Sequence, residues 1–386
     1  MDTENRKRIG ILFNFDKNWI GGLIYIINII KALKVLPDEQ KPSLILFYSE
    51  DNSRFVEEIK QANYEYISFV PYEIKRHRIL SYFLSVISRK NLFVTDIIKK
   101  SKLDGLFPLN DLPTQTKIEG CKIVSWFPDF QHKFYPQYFS KTNLILRELR
   151  FNWVFKRTDT LVLSSQDAYN HFSLFNTKKY KTKAKVLPFV SIVDDFDLPE
   201  IETLKTKYKI TKPYFMVSNQ FYEHKNHILV FQAIKKLKNK NKEYTVIFTG
   251  KMEDYRNPEF IQQLKDYIGK NEIEKYCTFL SVLPRAEQLS LMKNALCVIQ
   301  PSKFEGWSTV VEDAKSLQVP IITSDIEVHK EQLEDKAYYF GQDSPNDLSE
   351  LMQKYLDNNI VFKPFFTNYN ERLTIFAQKF VEIFYS

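Results

Sequence analysis

Two carboxylates, Glu305 and Asp313, flank a short turn in the sequence PSKFEGWSTVVEDA. The apolar run before this turn predicts a buried strand, and Ser308 or Thr309 predicts the cap of a helix that runs to about Gln318. The start of such a helix presents free backbone N–H groups and the positive end of a dipole, which favour phosphate. The carboxylates would accept hydrogen bonds from vicinal hydroxyls, which a sugar and a ribose both carry. The stretch therefore predicts a site for a sugar nucleotide.

A lysine stands in a second turn, SNQFYEHKN, between a strand expected at Tyr214–Ser218 and a helix expected at Ile228–Lys236. Lys225 would lie at the carboxyl end of that strand, from which an ammonium group can reach a pyrophosphate. A surface lysine near a helix start is common. Its combination with the carboxylate turn is what favours phosphate binding.

The first half of the chain offers a glycine pair, Gly21 and Gly22, after a strand expected at Ile9–Phe13 and before a helix expected at Leu23–Leu33. Glycines at this place would let the backbone approach a phosphate or sugar closely, although they could also merely form the turn. The pattern is not the Gly-x-Gly-x-x-Gly of dinucleotide binding.

A third polar turn, WFPDFQHKFYP, follows another expected strand. Its His132 could hydrogen-bond a sugar without ionising, or could simply stack on Phe134 or Tyr135. Asp129 could orient this histidine or, with Gln131, bind an acceptor.

Short apolar runs alternate with helical patterns along most of the chain, which predicts parallel α/β architecture. The pattern breaks between Val190 and Lys212, which we interpret as a linker. The expected domains are residues 1–195 and 196–365, two Rossmann-like domains facing each other across a cleft, followed by a helix over 366–386 that crosses back to the first domain. Strands are expected at Ile9–Phe13, Ser43–Phe47, Gly105–Phe107, Lys122–Trp126, Thr160–Leu163, Lys185–Leu187, Tyr214–Ser218, Thr245–Thr249, Cys277–Leu280, Cys297–Gln300, Pro320–Thr323 and Ala337–Phe340.

These turns resemble the signature of retaining glycosyltransferases of family 4, which have the GT-B fold. The family carries a second glutamate where this chain has Asp313, with Glu312 beside it, so either could contact the ribose. Lys225 matches the diphosphate-binding lysine. The family usually has an arginine about five residues earlier, where Asn219 and Gln220 stand here; Lys251 could supply the missing charge.

The resemblance also assigns roles to the remaining turns. The glycine pair matches the family's first glycine-rich loop, and His132 falls near its active-site histidine. Lys225, Glu305 and His132 are therefore the catalytic candidates. The donor-binding candidates are Gly21, Gly22, Asn219, Gln220, Lys225, Leu283, Arg285, Glu305, Gly306, Trp307, Ser308, Thr309 and Asp313. Asp129 and Gln131 are the acceptor-side candidates.

The implied reaction transfers a sugar, with retention, from a nucleotide-diphosphate sugar to a hydroxyl acceptor of a bacterial surface polysaccharide or lipopolysaccharide. It needs no metal and no cofactor beyond the donor; Asp195 and Asp197 are interpreted as solvated linker residues. Two alternatives stay open: a sugar-nucleotide epimerase of the same fold, and a binder of sugar nucleotides or glycans without catalytic activity.

The chain has 386 residues and a formal net charge of +8, with three cysteines that lack metal-ligand spacing. The N-terminus shows no signal-peptide pattern, and no apolar run reaches the roughly 18 residues of a membrane span. Two basic amphipathic segments, Lys75–Lys102 and Lys141–Arg157, suit an anionic membrane surface or are solvated helix faces. We expect a cytoplasmic protein, peripheral on the inner membrane face, that binds no nucleic acid.

Overall fold

The computed structural model describes residues 6–13, 20–72, 78–88, 94–109, 118–176, 183–193, 198–238, 240, 242–254, 257–366 and 368–385. The chain divides into two compact units. The first unit comprises Met1–Val190 and Asn368–Ser386, and the second unit comprises Ser191–Thr367. These boundaries lie a few residues from those expected at 195 and 365.

The first unit contains a seven-stranded sheet in the order β3-β2-β1-β4-β5-β6-β7, with parallel pairing throughout. Its strands are β1 Arg8–Phe13, β2 Ser43–Tyr48, β3 Ile67–Pro71, β4 Gly105–Phe107, β5 Lys122–Phe127, β6 Thr160–Leu163 and β7 Lys183–Val186. Its helices are α1 Ile20–Leu33, α2 Ser53–Gln61, α3 Arg78–Ser88, α4 Thr95–Ser101, α5 Gln131–Phe134, α6 Lys141–Arg157, α7 Gln166–Phe175 and α15 Tyr369–Tyr385.

Helix α15 packs within the first unit although it follows the second unit in the chain. A Cβ added at Gly105 would lie 2.3 Å from the ring of Phe384, so only glycine admits this helix there. Phe380 meets Phe107 edge-on, with 5.5 Å between ring centroids. The helix therefore completes the core beside β4.

The second unit contains a six-stranded parallel sheet in the order β10-β9-β8-β11-β12-β13. Its strands are β8 Tyr214–Ser218, β9 Thr245–Thr249, β10 Cys277–Phe279, β11 Cys297–Gln300, β12 Ile321–Ser324 and β13 Tyr338–Phe340. Its helices are α8 Ile201–Tyr208, α9 His227–Leu237, α10 Pro258–Asn271, α11 Arg285–Lys293, α12 Thr309–Ser316, α13 Glu327–Leu333 and α14 Pro345–Leu356. The central strands β8 and β11 are buried along their whole length, as expected where helices cover both faces of a parallel sheet.

Each strand expected from the sequence is present, with ends that agree within two residues. Strand β3 was not expected. It lies at the sheet edge, and its residues are half-buried or exposed, so they lack the continuous apolar run of the central strands.

Candidate active site

Two loops that carry predicted site residues leave neighbouring strands in the second unit. Strand β11 pairs in parallel with β8, so the loops after Ser218 and Gln300 begin at the same edge of the sheet. The loop after β8 carries Lys225, and the loop after β11 carries Glu305. The carboxyl edge of an α/β sheet is where such folds place their ligands.

Lys225 and Glu305 form an ion pair, with 2.5 Å between Nζ and Oε1. Only 17% of the lysine side chain and 11% of the glutamate side chain are exposed. Burial opposes ionisation of Glu305, but the charge of Lys225 and its hydrogen bond outweigh that effect, and the pKa of Glu305 is lowered overall. The structure thus brings two catalytic candidates into direct contact as a charged pair.

A chain of amides extends this pair toward β8. Gln300, the last residue of β11, donates to Glu305 Oε1 over 2.8 Å and accepts from Asn219 Nδ2 over 2.7 Å. Asn219, a donor-binding candidate, is itself buried. The two loops are therefore joined both by the ion pair and by this amide bridge.

Helix α12 begins directly beside Glu305. Ser308 is its N-cap, and the Ser308 hydroxyl accepts from the amide of Val311 over 3.4 Å. Gly306 and Trp307 are half-buried between Glu305 and this cap. In the described part of the chain, no hydrogen bond joins the amides of Thr309 and Val310 to another residue. The helix start thus has donors of the kind that bind phosphate.

The second carboxylate of the motif lies in a different environment. Asp313 is 1% exposed. Both terminal nitrogens of Arg285 donate to its carboxylate, with 2.6 Å between Nη1 and Oδ2. The hydroxyl of Ser191 also donates to Asp313 Oδ1, over 2.5 Å. Both oxygens of Asp313 are thus engaged by protein donors, and its contact with a ribose stays a prediction.

Glu312, the alternative ribose ligand, faces another way. It is fully buried, and Lys315 Nζ lies 3.1 Å from its Oε1. Gln332 of α13 donates to the same oxygen over 3.3 Å. The Glu312 carboxylate therefore stabilises the contact between α12 and α13.

Neither Gln220, at the position of the family's arginine, nor Lys251, proposed to supply the missing positive charge, contacts the Lys225–Glu305 pair in the described structure. Gln220 accepts from the amide of Lys251 over 2.9 Å, while Lys251 Nζ pairs with Glu253 at 2.7 Å in an exposed position. Gly250 allows these loops to approach closely, because it has a φ of 116° and an added Cβ would lie 2.2 Å from the carbonyl oxygen of Asn219.

Leu283, another donor-binding candidate, packs against the apolar core of the second unit.

In the first unit, Gly21 and Gly22 lie in the first turn of α1, which begins earlier than expected. Residues 14–19 lie outside the described ranges. The predicted glycine turn is thus part of a helix.

The acceptor-side candidates Asp129 and Gln131 lie at the start of α5. Asp129 Oδ1 accepts from the amide of Gln131 over 2.9 Å.

His132 is buried among phenyl rings. Its ring lies within 6.5 Å of those of Phe127, Phe139 and Phe151, and burial lowers its pKa to about 4. Phe134, one of the two rings on which His132 could stack, lies 4.3 Å from the ring of His171 between centroids. His132 is therefore neutral near pH 7 and enclosed.

Sequence reasoning missed His329 of α13, which is fully buried close to the ion pair. Its Nδ1 lies 3.1 Å from the carbonyl oxygen of Ser324, so this nitrogen carries the proton and donates. Burial lowers the pKa of His329 to about 4, opposed by the charge of Glu305. In the sequence, only the position of His329 shortly after β12 could have indicated that it lies near the site.

Within the described ranges, no group of three or more His, Cys, Asp or Glu side chains is arranged to hold a metal ion. Asp195 and Asp197 lie outside those ranges. No helix among the described residues has the length and apolar character needed to cross a bilayer.

Residues 200–379 match the profile of the family Glycosyl transferases group 1. The match covers most of the second unit and part of α15. This family is one of transferases, which supports the enzyme class predicted from the sequence. The chain is 24% identical over 208 residues to the α-1,3/1,6-mannosyltransferase ALG2 of Mus musculus, covering 51% of this chain and 50% of ALG2. It is 22% identical over 144 residues to the serotype-specific mannosyltransferase WbdA of Escherichia coli, covering 37% of this chain and 17% of WbdA. The chain thus aligns with half or less of the length of these curated relatives.

Solved structures confirm the predicted GT-B fold. HepE of Anabaena, in complex with UDP and glucose, superposes with a TM-score of 0.70 at 14% identity, covering 99% of this chain and 100% of HepE. WaaG, a glycosyltransferase involved in lipopolysaccharide biosynthesis, superposes with a TM-score of 0.60 at 13% identity, covering 98% of this chain and 99% of WaaG.

Proposed function

We propose that the protein is a retaining, metal-independent glycosyltransferase that moves a sugar from a nucleotide-diphosphate sugar to a hydroxyl acceptor. The observation that carries this proposal is the buried Lys225–Glu305 pair beside the N-terminus of α12. A cation and open helix amides would face the diphosphate, and a carboxylate would face the sugar hydroxyls. No other pair of described candidates combines these groups at one sheet edge.

In the proposed mechanism, Lys225 and the first amides of α12 neutralise charge as the diphosphate departs. An ammonium group has three N–H donors, so Lys225 can keep Glu305 while it donates to a phosphate oxygen. Glu305 accepts hydrogen bonds from the donor sugar and so positions its anomeric carbon. The acceptor hydroxyl attacks from the face that the diphosphate leaves, and the departing phosphate takes its proton.

The known proteins suggest the class of donor and acceptor. HepE binds UDP and glucose, which supports a nucleotide-diphosphate sugar. ALG2 and WbdA are mannosyltransferases, which supports a hexose. WaaG acts in lipopolysaccharide biosynthesis, which supports a glycan or lipid-linked acceptor of the cell envelope.

The decisive experiment incubates the purified protein with UDP-, GDP-, ADP- and CMP-sugars, with and without cell-envelope lipid extract. Acceptor-dependent release of nucleotide and a product whose anomeric configuration, measured by NMR, matches that of the donor would support the proposal. An epimerised sugar released without acceptor would favour the epimerase. Tight donor binding without turnover in any combination would favour a non-catalytic binder.

Metal independence gives a separate prediction. Because Lys225 and helix amides are proposed to stabilise the leaving group, transfer should persist in excess EDTA. Loss of transfer in the chelator, with recovery on adding Mn²⁺ or Mg²⁺, would contradict this assignment and direct attention to Asp195 and Asp197.

We further propose that the protein works at an anionic membrane surface, on the cytoplasmic face. Helix α6 buries Phe151, Val154 and Phe155 but turns Ile145, Leu146 and Leu149 toward solvent, where they are 61%, 56% and 48% exposed. These three residues share one helix face, because they are spaced at i, i+1 and i+4. The same helix carries basic residues at Lys141, Arg147, Arg150 and Lys156. An apolar stripe with basic neighbours matches the acyl boundary and headgroups of anionic lipids.

Helix α3 adds exposed Leu80, Phe83, Leu84 and Ile87 in the first basic segment. The arginines and lysines that flank this helix at positions 75, 76, 89 and 90 lie outside the described residues. The membrane proposal therefore rests on α6.

Binding to vesicles tests this proposal. The wild-type protein should bind vesicles that contain phosphatidylglycerol and should dissociate as salt rises above about 0.1 M, where the Debye length falls to about 10 Å. Replacing Ile145, Leu146 and Leu149 by serine should weaken binding at low salt. Val361→Ser in the second unit is the matched control, since Val361 is 72% exposed. Equal binding to neutral and anionic vesicles, or to neither, would refute the proposal.

A further inference from the structure

One buried amide connects the polar groups at the edge of the second sheet. Gln300 ends β11 after three apolar residues that are fully buried, and its own side chain is fully buried as well. A buried amide costs free energy unless hydrogen bonds satisfy it, so its presence in an apolar strand needs an explanation.

The hydrogen bonds of Gln300 supply that explanation. Its Oε1 accepts from Asn219 at the end of β8 over 2.7 Å. Its Nε2 lies 2.8 Å from Glu305 Oε1 and 3.1 Å from the hydroxyl oxygens of Ser302 and Ser308. Because an amide has two N–H donors, these three acceptors share them. Gln300 therefore holds the carboxylate, the turn and the cap of α12 together.

The orientation of the amide is determined by charge. An ionised carboxylate only accepts hydrogen bonds, so the nitrogen of Gln300 must face Glu305 and its oxygen must face Asn219. Lys225 meets the same carboxylate oxygen, Oε1, from the other loop. A donor at the end of β11 and a donor from the loop after β8 thus converge on one oxygen, which restricts rotation of the carboxylate.

We propose that Gln300 is a positioning residue, which holds the Glu305 carboxylate in the orientation that receives the donor sugar. The role of Glu305 toward the sugar rests on the proposed function, whereas the coupling of Gln300 to Glu305 does not. These two parts can be tested separately.

Three variants test the proposal. Gln300→Met keeps the length of the side chain and removes its hydrogen bonds. Gln300→Glu keeps the volume and places a second carboxylate against Glu305. Thr323→Val is the matched control: Thr323 pairs with Gln300 in the register of β11 and β12, is fully buried, and has a hydroxyl oxygen without a hydrogen-bond partner in the described structure.

The first measurement is transfer kinetics. Gln300→Met should lower kcat by about 10- to 100-fold and change KM by less than about threefold, because the carboxylate would act on the sugar during transfer. Gln300→Glu should shift the acid limb of the pH–rate profile upward by about one pH unit or more, since two adjacent carboxylates share a proton. Thr323→Val should match the wild type.

The second measurement is the midpoint of thermal unfolding as a function of pH, which needs no activity. Stability from ionised Glu305 is present at neutral pH and is lost as the pH falls. As the pH falls below the ordinary pKa of a glutamate, this loss should be smaller in Gln300→Met than in the wild type, because the pKa of Glu305 is lowered less without the amide donor. It should be smaller still in Gln300→Glu, where a second carboxylate opposes ionisation. Thr323→Val should follow the wild-type profile. Unchanged kcat in a folded Gln300→Met variant, or unfolding profiles that coincide for all four proteins, would overturn the proposal. An inactive wild type with the expected unfolding profiles would instead reject the proposed function alone.

Discussion

The two carboxylates of the motif, Glu305 and Asp313, each form an ion pair, but the two pairs have different partners and surroundings. Lys225 and Glu305 come from two loops at the carboxyl edge of the sheet and retain some exposure. Arg285 and Asp313 come from two helices, and Ser191, the first residue of the second unit, joins them. In the first pair, Lys225 keeps N–H donors that a ligand can share. The second pair is a bidentate ion pair that fixes the contact between α11 and α12 and the start of the second unit.

This difference shows that equivalent positions in a motif need not have equivalent tasks. A carboxylate held by a lysine and an amide at a loop end remains available for chemistry. A carboxylate whose two oxygens both accept from one guanidinium stabilises the packing of two helices and has less capacity left for a ligand. The comparison makes predictions that separate turnover from stability.

The largest expected effect comes from removing the cation of the first pair. Lys225→Ala should lower kcat by two or more orders of magnitude, about 3 kcal/mol in the barrier, because Lys225 is the cation proposed to neutralise the departing diphosphate. It should also cost about 2 kcal/mol of stability, less than a fully buried pair would, since both side chains are partly exposed. Kinetics on the wild-type donor and thermal unfolding measure the two effects.

Lys251→Ala is the control for this substitution. Lys251 also follows a strand of the second sheet, but its ammonium group pairs with Glu253 in solvent. Its turnover should stay within about twofold of the wild type. A large loss at Lys251 together with a small loss at Lys225 would reverse the assignment of the diphosphate-binding charge.

The next effect separates the two carboxylates directly. Glu305→Gln should reduce kcat about 10- to 100-fold, the worth of one charged hydrogen bond, with a smaller change in stability. Asp313→Asn should do the opposite: kcat within about threefold, and a loss of about 2 kcal/mol in unfolding free energy as the clamp on Arg285 weakens. Glu312→Gln should leave kcat unchanged. If Glu312→Gln proves more damaging to turnover than Asp313→Asn, the ribose contact lies one residue earlier than predicted.

The smallest effect concerns the histidine beside the first pair. The pKa of His329 lies near 4 in the folded protein and at 6.5 ordinarily, so between these values the unfolded chain binds a proton that the folded chain does not. Its contribution to stability is therefore complete above pH 6.5 and decreases as the pH falls toward 4. His329→Gln should flatten the pH dependence of unfolding in this window. Lys330→Gln, an exposed neighbour on α13, should not; an identical slope in both variants would contradict the assignment.

The sequence predicted the central strands because a parallel sheet covered on both faces needs continuous apolar runs, as in β8 and β11. The edge strand β3 escaped prediction because half-exposed residues give no such run. The closeness of Lys225 and Glu305 was also predictable, since both follow strands that end at one edge.

Other parts of the site depend on packing that sequence does not reveal. Arg285 and Asp313 were both named, but their contact depends on how α11 packs against α12. Gln300 and His329 were missed, because a polar residue at a strand end or in a helix shows its partners only after the sheet has formed. The glycine pair predicted a turn, yet α1 begins early enough to include both glycines in its first turn.

The position of α15 has a consequence for the order in which the two units fold during synthesis. The first unit needs Phe380 and Phe384 to cover Phe107 and Gly105, so its core is incomplete while those residues are still inside the ribosome. The second unit is one continuous stretch of chain, from Ser191 to Thr367, and emerges before α15 does. The half that carries Lys225 and Glu305 is thus expected to reach its final form first, and the half that begins the chain is expected to finish last.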